Sequence, residues 1–376
     1  MTRLLIALAI VVVTAIVAAA IYQPPFAGEP IAVVAIPPPV RPATAPAADT
    51  SVAMRETLRP DDDTRVSPAG GTQAFPEGGG VIDPDDVDII DPNQGDSLPE
   101  AGSERIRLAR APMQGFTETG EFGPLPRISK DGRKPSTVYA RPFRNRVARD
   151  APVRIAILIS GMGISATATS EAVQHLPGEV TLAFAPYGEN LQSWVDRARS
   201  SGHEVMLQVP MEPFDYPDND PGPHTLLTGL KPAENLGRLK WLMSRFGGYI
   251  GITNYMGAKF TADDGALAAV MKELAGRGLA YLDDGGSPRS RALDVAAGEG
   301  TEARRADVII DAEQSRAGIE EAIRRLEEIA KERGSAIGVG TALPVTLDTV
   351  IEWARTLAAR GIALAPVSAI LNPAEG

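Results

Sequence analysis

The sequence predicts an α/β protein whose folded part is a distorted (β/α) barrel, preceded by an N-terminal membrane anchor and a disordered linker rich in Pro and Asp. Two observations predict the barrel: short apolar runs recur from residue 153 onward, and amphipathic helical patterns lie between them. This alternation is typical of a mainly parallel sheet covered by helices. A third observation, the change from Pro-rich to periodic sequence near residue 150, places the folded domain at 151–372.

Residues 1–22 predict a signal anchor or transmembrane helix. Arg3 precedes an uncharged apolar run at 4–21, which is about the length needed to cross a bilayer core. The position of Arg3 predicts a single-pass protein of a bacterial inner membrane, with its folded domain in the periplasm. A cleaved signal peptide is the alternative, since Ala18 to Ala20 supply small residues for a cleavage site.

Residues 23–150 predict a low-complexity linker that ends in a basic segment. The part at 23–103 is rich in Pro, Ala, Gly and Asp, a composition that favours an extended spacer. The part at 104–150 has more Arg and Lys than Asp and Glu. We expect this basic segment to lie as a strap on the following domain, and contact with an anionic envelope polymer is the alternative.

The composition excludes several classes of function. The chain has no cysteine, which rules out disulfides, thiolate metal sites and cysteine nucleophiles. Any metal site must therefore use carboxylates, water or the three histidines. The formal net charge of −11 argues against nucleic acid as a partner, because nucleic-acid binders usually present a basic surface.

The helices and strands of the barrel follow from the apolar periodicity. Helical patterns occur at 189–201, 262–277 and 316–333, where apolar residues recur at helical spacing. Thr261 is the expected N-cap of the helix at 262–277, and Gly278 is its expected C-terminal stop. The runs that predict strands are 153–159, 180–185, 204–209, 249–253, 279–282, 307–311, 335–339 and 362–367.

The C-terminal ends of the strands define the candidate site, because catalytic and binding groups of barrels lie there. Glu212, Asp283, Asp284 and His224 are the candidates for catalysis at these ends. Each has a structural alternative: Glu212 holds its loop, for example, and the two aspartates cap the following turn. The predicted substrate-binding residues are Ser160, Gln208, Glu212, Asn254, Tyr255, Asp283 and Arg289.

Several segments around these positions resemble the divergent polysaccharide deacetylase family, over residues 153–371. The resemblance implies a distorted (β/α) barrel. It also implies relatives that use a divalent metal, held by Asp and His, to hydrolyse acetyl groups on sugars. The segments that carry it are TLAFAPY, GHEVMLQVPMEPFDYPDNDPGPHTLL, NYMGAKFTAD, GLAYLDD and RGIALAPVSAIL.

The chain departs from the family pattern at four strand ends. The pattern has an Asp-Asp pair where this chain has Ser160 and Gly161. It has histidine where Gln208 and Tyr255 stand, and often where Thr341 stands. The resemblance therefore implies a degenerate metal site, with no metal ligand predicted and no cofactor expected.

Three functions remain open from the sequence, and so does the question of whether the protein is an enzyme. The leading interpretation is a membrane-anchored envelope protein of carbohydrate metabolism. It would bind a polysaccharide or peptidoglycan-type glycan, or an envelope protein, at the strand-end groove. The alternative is an active carbohydrate de-N/O-acetylase with a rearranged site, in which Glu212, Asp283 and Asp284 would suit a divalent metal such as Ca²⁺ or Mg²⁺. The third is an envelope scaffolding protein.

Overall fold

The structure, a computed structural model, describes residues 106–145 and 153–371 of the 376-residue chain. The predicted anchor at 1–22 and most of the predicted linker lie outside these residues, so both stay predictions. None of the helices found at 106–145 and 153–371 is long and apolar enough to span a bilayer.

The described chain forms a short antiparallel hairpin followed by one parallel sheet. The hairpin consists of β1 (Thr117–Gly120) and β2 (Gly123–Pro126). The sheet contains β3 (Val153–Met162), β4 (Thr181–Phe184), β5 (Val205–Met211), β6 (Gly251–Met256), β7 (Ala280–Asp283), β8 (Ala303–Arg305), β9 (Val308–Ile309), β10 (Ser335–Thr341) and β11 (Ile362–Ala365).

Helices connect most of the strands, as expected for parallel neighbours that cannot be joined by tight turns. The helices are α1 (Pro135–Val138), α2 (Ala166–His175), α3 (Leu191–Ser200), α4 (Pro232–Met243), α5 (Asp264–Arg277), α6 (Ala292–Glu299), α7 (Arg316–Arg333), α8 (Pro344–Ala354) and α9 (Ser368–Leu371).

The parallel sheet curls, because the two ends of its strand order meet in one short segment. The order is β8-β7-β6-β5-β4-β3-β10-β9, and β11 pairs with the first half of β3. β8 and β9 stand at opposite ends of this order, yet only Ala306 and Asp307 separate them along the chain. The Ala306 N–H donates to the Asp283 carbonyl beside β7, whereas the Asp307 N–H donates to the Ile337 carbonyl on β10. The predicted parallel sheet with covering helices is thereby confirmed, and it is curled as in part of a barrel.

The two faces of the curled sheet carry separate apolar clusters, which follow the period-two alternation of each strand. Along β3, Ile155 and Ile157 pack outward in the cluster that contains helix residues such as Leu326. Ala156 and Leu158 belong to the inner cluster, together with residues of the other strands. Side chains of inner parity at the C-terminal strand ends therefore converge on one opening.

Helix α7 has the predicted bounds, and α5 differs from the prediction at its start. Thr261 is not the N-cap of α5, because it lies in a 3₁₀ turn and its hydroxyl donates to the Gly257 carbonyl at 2.8 Å. The N-cap is Asp263, whose carboxylate accepts the Ala266 N–H at 2.8 Å. Gly278 ends the helix with a φ of 66°, which confirms the predicted stop.

The described part of the basic segment packs against the N-terminal ends of the strands. Arg141 is buried, donates to the Gly202 carbonyl at 2.7 Å and forms an ion pair with Glu179. Its backbone N–H donates to Glu204, immediately before β5. These contacts are the ones that the strap interpretation expects, and they leave the opposite end of the sheet for a site.

Candidate functional site

A groove lined by both apolar and polar side chains lies at the C-terminal ends of the strands. Its cavity has a volume of about 170 Å³. This volume is smaller than the roughly 300–1,000 Å³ typical of sites for drug-sized ligands, so the cavity itself holds about one ring of a larger molecule. The lining residues are Leu158, Ser160, Gln208, Thr253, Asn254, Tyr255, Met256, Asp284, Ile309, Asp311, Val339, Gly340 and Thr341.

Neutral donors fix the carboxylate of Asp311 on one wall of this groove. Asp311 is 5% exposed, and its Oδ2 accepts the backbone N–H of Thr341 at 2.7 Å. The same oxygen accepts the hydroxyls of Thr341 at 2.5 Å and Thr346 at 3.1 Å. Thr341 stands where the family pattern often has histidine, and here it orients an acid.

The end of β3 is bonded to its neighbour β10 on one side and to β5, the strand beyond β4, on the other. The Ser160 hydroxyl donates to the Gly340 carbonyl at 3.1 Å. The Gly161 N–H donates to Oε1 of Gln208 at 3.2 Å. Gly161 has a φ of 81°, a left-handed conformation that glycine adopts without strain and other residues resist. The positions of the expected metal ligands therefore hold the hydroxyl of Ser160, the glycine Gly161 and the amide of Gln208. The hydroxyl bonds to β10, and the glycine bonds to the amide on β5.

Asn254 organises the opposite wall. Its Oδ1 accepts the Tyr281 hydroxyl at 3.1 Å and the Asp284 backbone N–H at 3.0 Å. Its Nδ2 donates to the carbonyl of Met256, a non-glycine residue with a φ of 57°. Asn254 is buried and so acts on the shape of the wall. Tyr255, by contrast, is 41% exposed and offers its ring to the groove.

Asp284 is a weakened acid in this wall, because its pKa is raised. Its Oδ1 accepts the Gly286 N–H at 2.8 Å. Burial raises the pKa of Asp284, and the neighbouring charge of Asp283 adds to the rise, against the lowering effect of its hydrogen bonds. Asp284 therefore holds a proton more readily than an exposed aspartate does.

Thr253 brings an unpartnered hydroxyl to the groove. The side chain is 1% exposed, lines the cavity, and its Oγ1 has no hydrogen-bond partner. Thr253 pairs in register with Gln208 and shares its inner parity. Leaving a buried polar group without a partner costs about 1–3 kcal/mol, so this hydroxyl is available to a bound ligand.

Glu212 is outside the groove lining, and its carboxylate joins its own loop to the segment after β6. Its Oε1 lies 2.7 Å from Nζ of Lys259, and its Oε2 accepts the Thr228 N–H at 2.6 Å and the Thr228 hydroxyl at 2.7 Å. Burial raises the pKa of Glu212, but the bonds from Lys259 and Thr228 outweigh it and hold the pKa below its usual value. The carboxylate is charged, paired and held in place.

Asp283 and Arg289 also lie outside the lining, on the loop after β7. Asp283 is 2% exposed, and its carboxylate accepts the Gly285 N–H at 2.8 Å and the Ser290 hydroxyl. The cation beside it is Arg305, at 4.0 Å. The guanidinium of Arg289 lies over the ring of Phe214, 5.7 Å from its centre. Asp283 thus closes the turn, as its structural alternative expects.

His224 belongs to an aromatic stack away from the groove lining. Its ring lies parallel to Trp241, with 3.6 Å between the ring centres, and Nδ1 is buried without a hydrogen-bond partner. Burial lowers the pKa of His224, and the nearby Arg238 and Arg245 lower it further. Neither His224 nor Trp241 lines the groove. His224 is therefore separate from the carboxylates that do line it.

The residues present do not fit a divalent metal. Across 106–145 and 153–371, no group of three or more His, Asp or Glu side chains is placed to hold a metal ion. The oxygen-rich set expected under the alternative is not assembled, because Glu212 pairs with Lys259 and Asp283 closes its turn. Of that set, only Asp284 lines the groove.

The structure thus unites five of the predicted residues and adds two. Ser160, Gln208, Asn254, Tyr255 and Asp284 meet in the groove. Thr253 and Asp311 line the same groove and are not among the predicted site residues. The signal for both is strand parity: each lies on the inner face, near the end of its strand.

This curled parallel sheet, with helices outside and a groove at its C-terminal strand ends, defines an α/β protein of the barrel-like class. The profile of the divergent polysaccharide deacetylase family matches residues 157–371, more than half of the chain. The chain belongs to this family, which confirms the predicted resemblance.

Relatives of the chain are found among known proteins. The uncharacterised protein YibQ of Escherichia coli K12 is 26% identical over 241 residues, which are 61% of this chain and 74% of YibQ. An uncharacterised protein of Haemophilus influenzae is 24% identical over 207 residues, or 55% of this chain and 73% of that protein. The crystal structure of an uncharacterised protein from Agrobacterium tumefaciens C58 is 40% identical, with a TM-score of 0.64, and covers 66% of this chain and 99% of that one. These relatives support the family and the fold.

Proposed function

We propose that this protein is an anchored envelope protein that binds a polysaccharide or peptidoglycan-type glycan at the strand-end groove, without metal-dependent deacetylation. The observation that carries the proposal is the content of the groove. Ser160, Gln208, Tyr255 and Thr341 stand where the family pattern places metal ligands, and all four line one cavity. The scaffold of a sugar-processing site is kept, and its metal chemistry is replaced by hydrogen-bonding groups.

The surroundings of the groove support a sugar as the ligand. Sugars present hydroxyl groups that pair with amides, hydroxyls and carboxylates, and apolar ring faces that pack on aromatic and aliphatic side chains. Tyr255, at the groove, is 41% exposed. Ile164 and Phe214, in the segments that follow β3 and β5, are 62% and 57% exposed. Large apolar side chains on loops at this end of the sheet suit a polymer that continues beyond the cavity.

The envelope location within this proposal rests on residues 1–22, outside the described residues. The uncharged run behind Arg3 has the length of a membrane span, and the order of charge and apolar run predicts that the domain lies on the outer side. A glycan of the cell envelope is then the polysaccharide that the domain meets.

Metal content and glycan binding together test the proposal. Full-length protein in detergent is dialysed against Zn²⁺, Mn²⁺, Ca²⁺ or buffer alone, and its metal is measured by elemental analysis. Soluble amino-sugar oligomers and peptidoglycan fragments are then titrated calorimetrically. We expect far less than one metal per chain together with measurable glycan binding. Near-stoichiometric metal, or no binding to any glycan, overturns the proposal.

A matched pair of aromatic variants places the binding site. Tyr255→Ala removes the exposed ring at the groove and is expected to weaken glycan binding at least tenfold. Phe122→Ala removes a ring of similar exposure, 44%, on the hairpin of the strap. This control should bind as the wild type does, and equal losses in both variants would place the glycan elsewhere.

An acetyl hydrolase with a rearranged site is the second candidate, and one observation favours it. Asp284 and Asp311 both line the groove, and the raised pKa of Asp284 suits a general acid. Acetate release from acetylated glycan, abolished by Asp284→Asn, would establish this activity. Glycan binding with no acetate release supports the binding function.

A further inference from the structure

The charge of the groove is one-sided. Asp284 and Asp311 are the carboxyl groups among the described residues that line it, and Lys, Arg and His are absent from that lining. A site with two carboxyl groups and no resident cation disfavours anionic ligands and attracts cationic ones.

The cations close to the groove lie outside its lining, although the charge of Arg305 reaches Asp284 and lowers its pKa against the effect of burial. Arg305 donates to the carbonyls of Gly285 and Ser287, at 3.1 and 2.6 Å. Lys259 is paired with Glu212 at 2.7 Å. The hydrogen bonds to Asp311 Oδ2 come from a backbone N–H and two hydroxyls, donors that carry no formal positive charge.

The orphan hydroxyl of Thr253 is an independent sign of a ligand at this place. It is buried, unpartnered and part of the same lining. A hydroxyl oxygen accepts as well as donates. Two carboxyl groups and such a hydroxyl supply acceptors of the kind that an ammonium group, with its three N–H donors, requires.

We propose that the groove selects a glycan whose amino sugar carries a free ammonium group, that is, a de-N-acetylated amino sugar rather than its N-acetylated form. The inference rests on the proposed glycan-binding function and names the class of sugar. The ammonium group binds between Asp284 and Asp311, the ring occupies the cavity, and Tyr255 covers the ring face. A chain with this groove recognises the product of N-deacetylation.

A divalent cation is a poorer occupant, because the described residues contain no group of three His, Asp or Glu side chains placed to hold it. A lysine-rich peptide has the same ammonium chemistry but lacks a ring for Tyr255 and the cavity. The sugar is therefore the occupant that uses the whole groove, and the peptide becomes an outcome of the test.

The test compares one oligomer in two forms. Full-length protein in detergent is titrated calorimetrically with a glucosamine tetramer, the N-acetylglucosamine tetramer of the same length, and tri-lysine. We expect the free-amine tetramer to bind at least tenfold tighter than either of the others. Tighter binding of the acetylated tetramer overturns this inference and leaves the glycan-binding function standing, whereas absence of binding to both tetramers overturns both. Equal or tighter binding of tri-lysine also overturns the inference.

Three variants assign the preference to the groove. Asp284→Asn keeps the size of the side chain and should reduce the preference for the free amine at least tenfold. Thr253→Val replaces the hydroxyl by a methyl group of similar size and should weaken the free-amine tetramer several-fold. Asp215→Asn removes an exposed charge outside the lining and should change nothing. Circular dichroism confirms that each variant is folded, and an unaltered preference in a folded Asp284→Asn protein overturns the inference.

Discussion

Lys259 Nζ lies 2.7 Å from Oε1 of Glu212, while the other carboxylate oxygen of Glu212 accepts two hydrogen bonds from Thr228. Glu212, a predicted candidate for catalysis, therefore fixes the loop after β5. Glu212 therefore has a structural role, unlike Asp284 and Asp311, the two acids that line the groove. Substitution of each acid can measure this difference.

Replacing Glu212 should affect stability and leave glycan binding intact. Glu212→Ala removes the acceptor of Thr228 and the partner of Lys259, which is 43% exposed and so is partly screened by solvent. We expect a loss of about 1–3 kcal/mol in the free energy of unfolding, measured with urea. Glu212→Gln keeps an acceptor and should lose about 1 kcal/mol. A Glu212→Ala protein of unchanged stability that no longer binds glycan would return Glu212 to the site.

Arg199 should hold the strap on the domain. Its buried guanidinium donates to the carbonyls of Ala109 at 2.8 Å, Tyr139 at 3.0 Å and Gly248 at 3.2 Å. Arg199→Met leaves these acceptors without a donor, and we expect about 3 kcal/mol of lost stability with faster proteolysis within 106–145. Arg197→Met, on the exposed side of the same helix, should stay within about 0.5 kcal/mol of wild type. Equal proteolysis of both variants would contradict this role.

His203 should make the fold sensitive to mild acid. The ring is fully buried, and Nδ1 lies 2.8 Å from the Val180 carbonyl. Burial lowers the pKa of His203 below its ordinary value of 6.5, against the raising effect of its bonds to the Val180 and Val173 carbonyls. Below that value the unfolded chain takes up a proton that the folded chain refuses, so stability falls as the pH falls.

The pH effect of His203 can be isolated by difference. The free energy of unfolding is measured between pH 7.5 and 5.5 for wild type and His203→Gln. Below about pH 6.5 the wild type should lose up to about 1.4 kcal/mol per pH unit more than the variant. Other groups with shifted pKa values, such as Glu204 and His224, are common to both proteins and cancel. Parallel curves would show that His203 does not contribute.

Gly251 should be intolerant of any side chain. A Cβ added there would come closer than 3.0 Å to the backbone O, C and N atoms of Ala280 on β7. Gly251→Ala therefore forces β6 and β7 apart and should cost about 1–3 kcal/mol by chemical denaturation. Gly237→Ala is the control, because a Cβ there meets nothing within 4 Å. That control, inside α4, should be neutral or stabilising by up to about 1 kcal/mol, and similar losses in both variants would refute the argument.

The elements with strong periodicity were predictable from the sequence. The apolar positions of α7 and the stop at Gly334 locate it at 316–333, and the structure has the same bounds. Strand β8 at 303–305 was missed, because its sequence Ala-Arg-Arg has no apolar run and its pairing to β7 is decided by the curl of the sheet. Thr261 and Asp263 are both good N-caps, and local sequence does not choose between them.

The site was predictable to the extent that it follows from strand ends. Ser160, Gln208 and Tyr255 follow from chain order alone, since parallel strands bring their C-terminal ends to one side. Chain order does not predict that Glu212 stays outside the groove. Its partner Lys259 lies 47 residues further along the chain and meets Glu212 only in the fold. Thr253 required the inner parity of β6, which is known only when the register of the strand is known.

The position of β11 has a consequence for biosynthesis. β3 pairs with β10 on one side and with β4 and β11 on the other, so its partners extend to Ala365. A chain that leaves a ribosome or a translocation channel N-terminus first releases the apolar strand β3 long before β10 and β11 have emerged. β4 follows β3 closely, but the edge of β3 that pairs with β10 and the part that pairs with β11 stay open for most of the domain's synthesis. In this interval holding chaperones act, and strands of neighbouring chains compete for the same edge. The domain closes only when its last strand arrives.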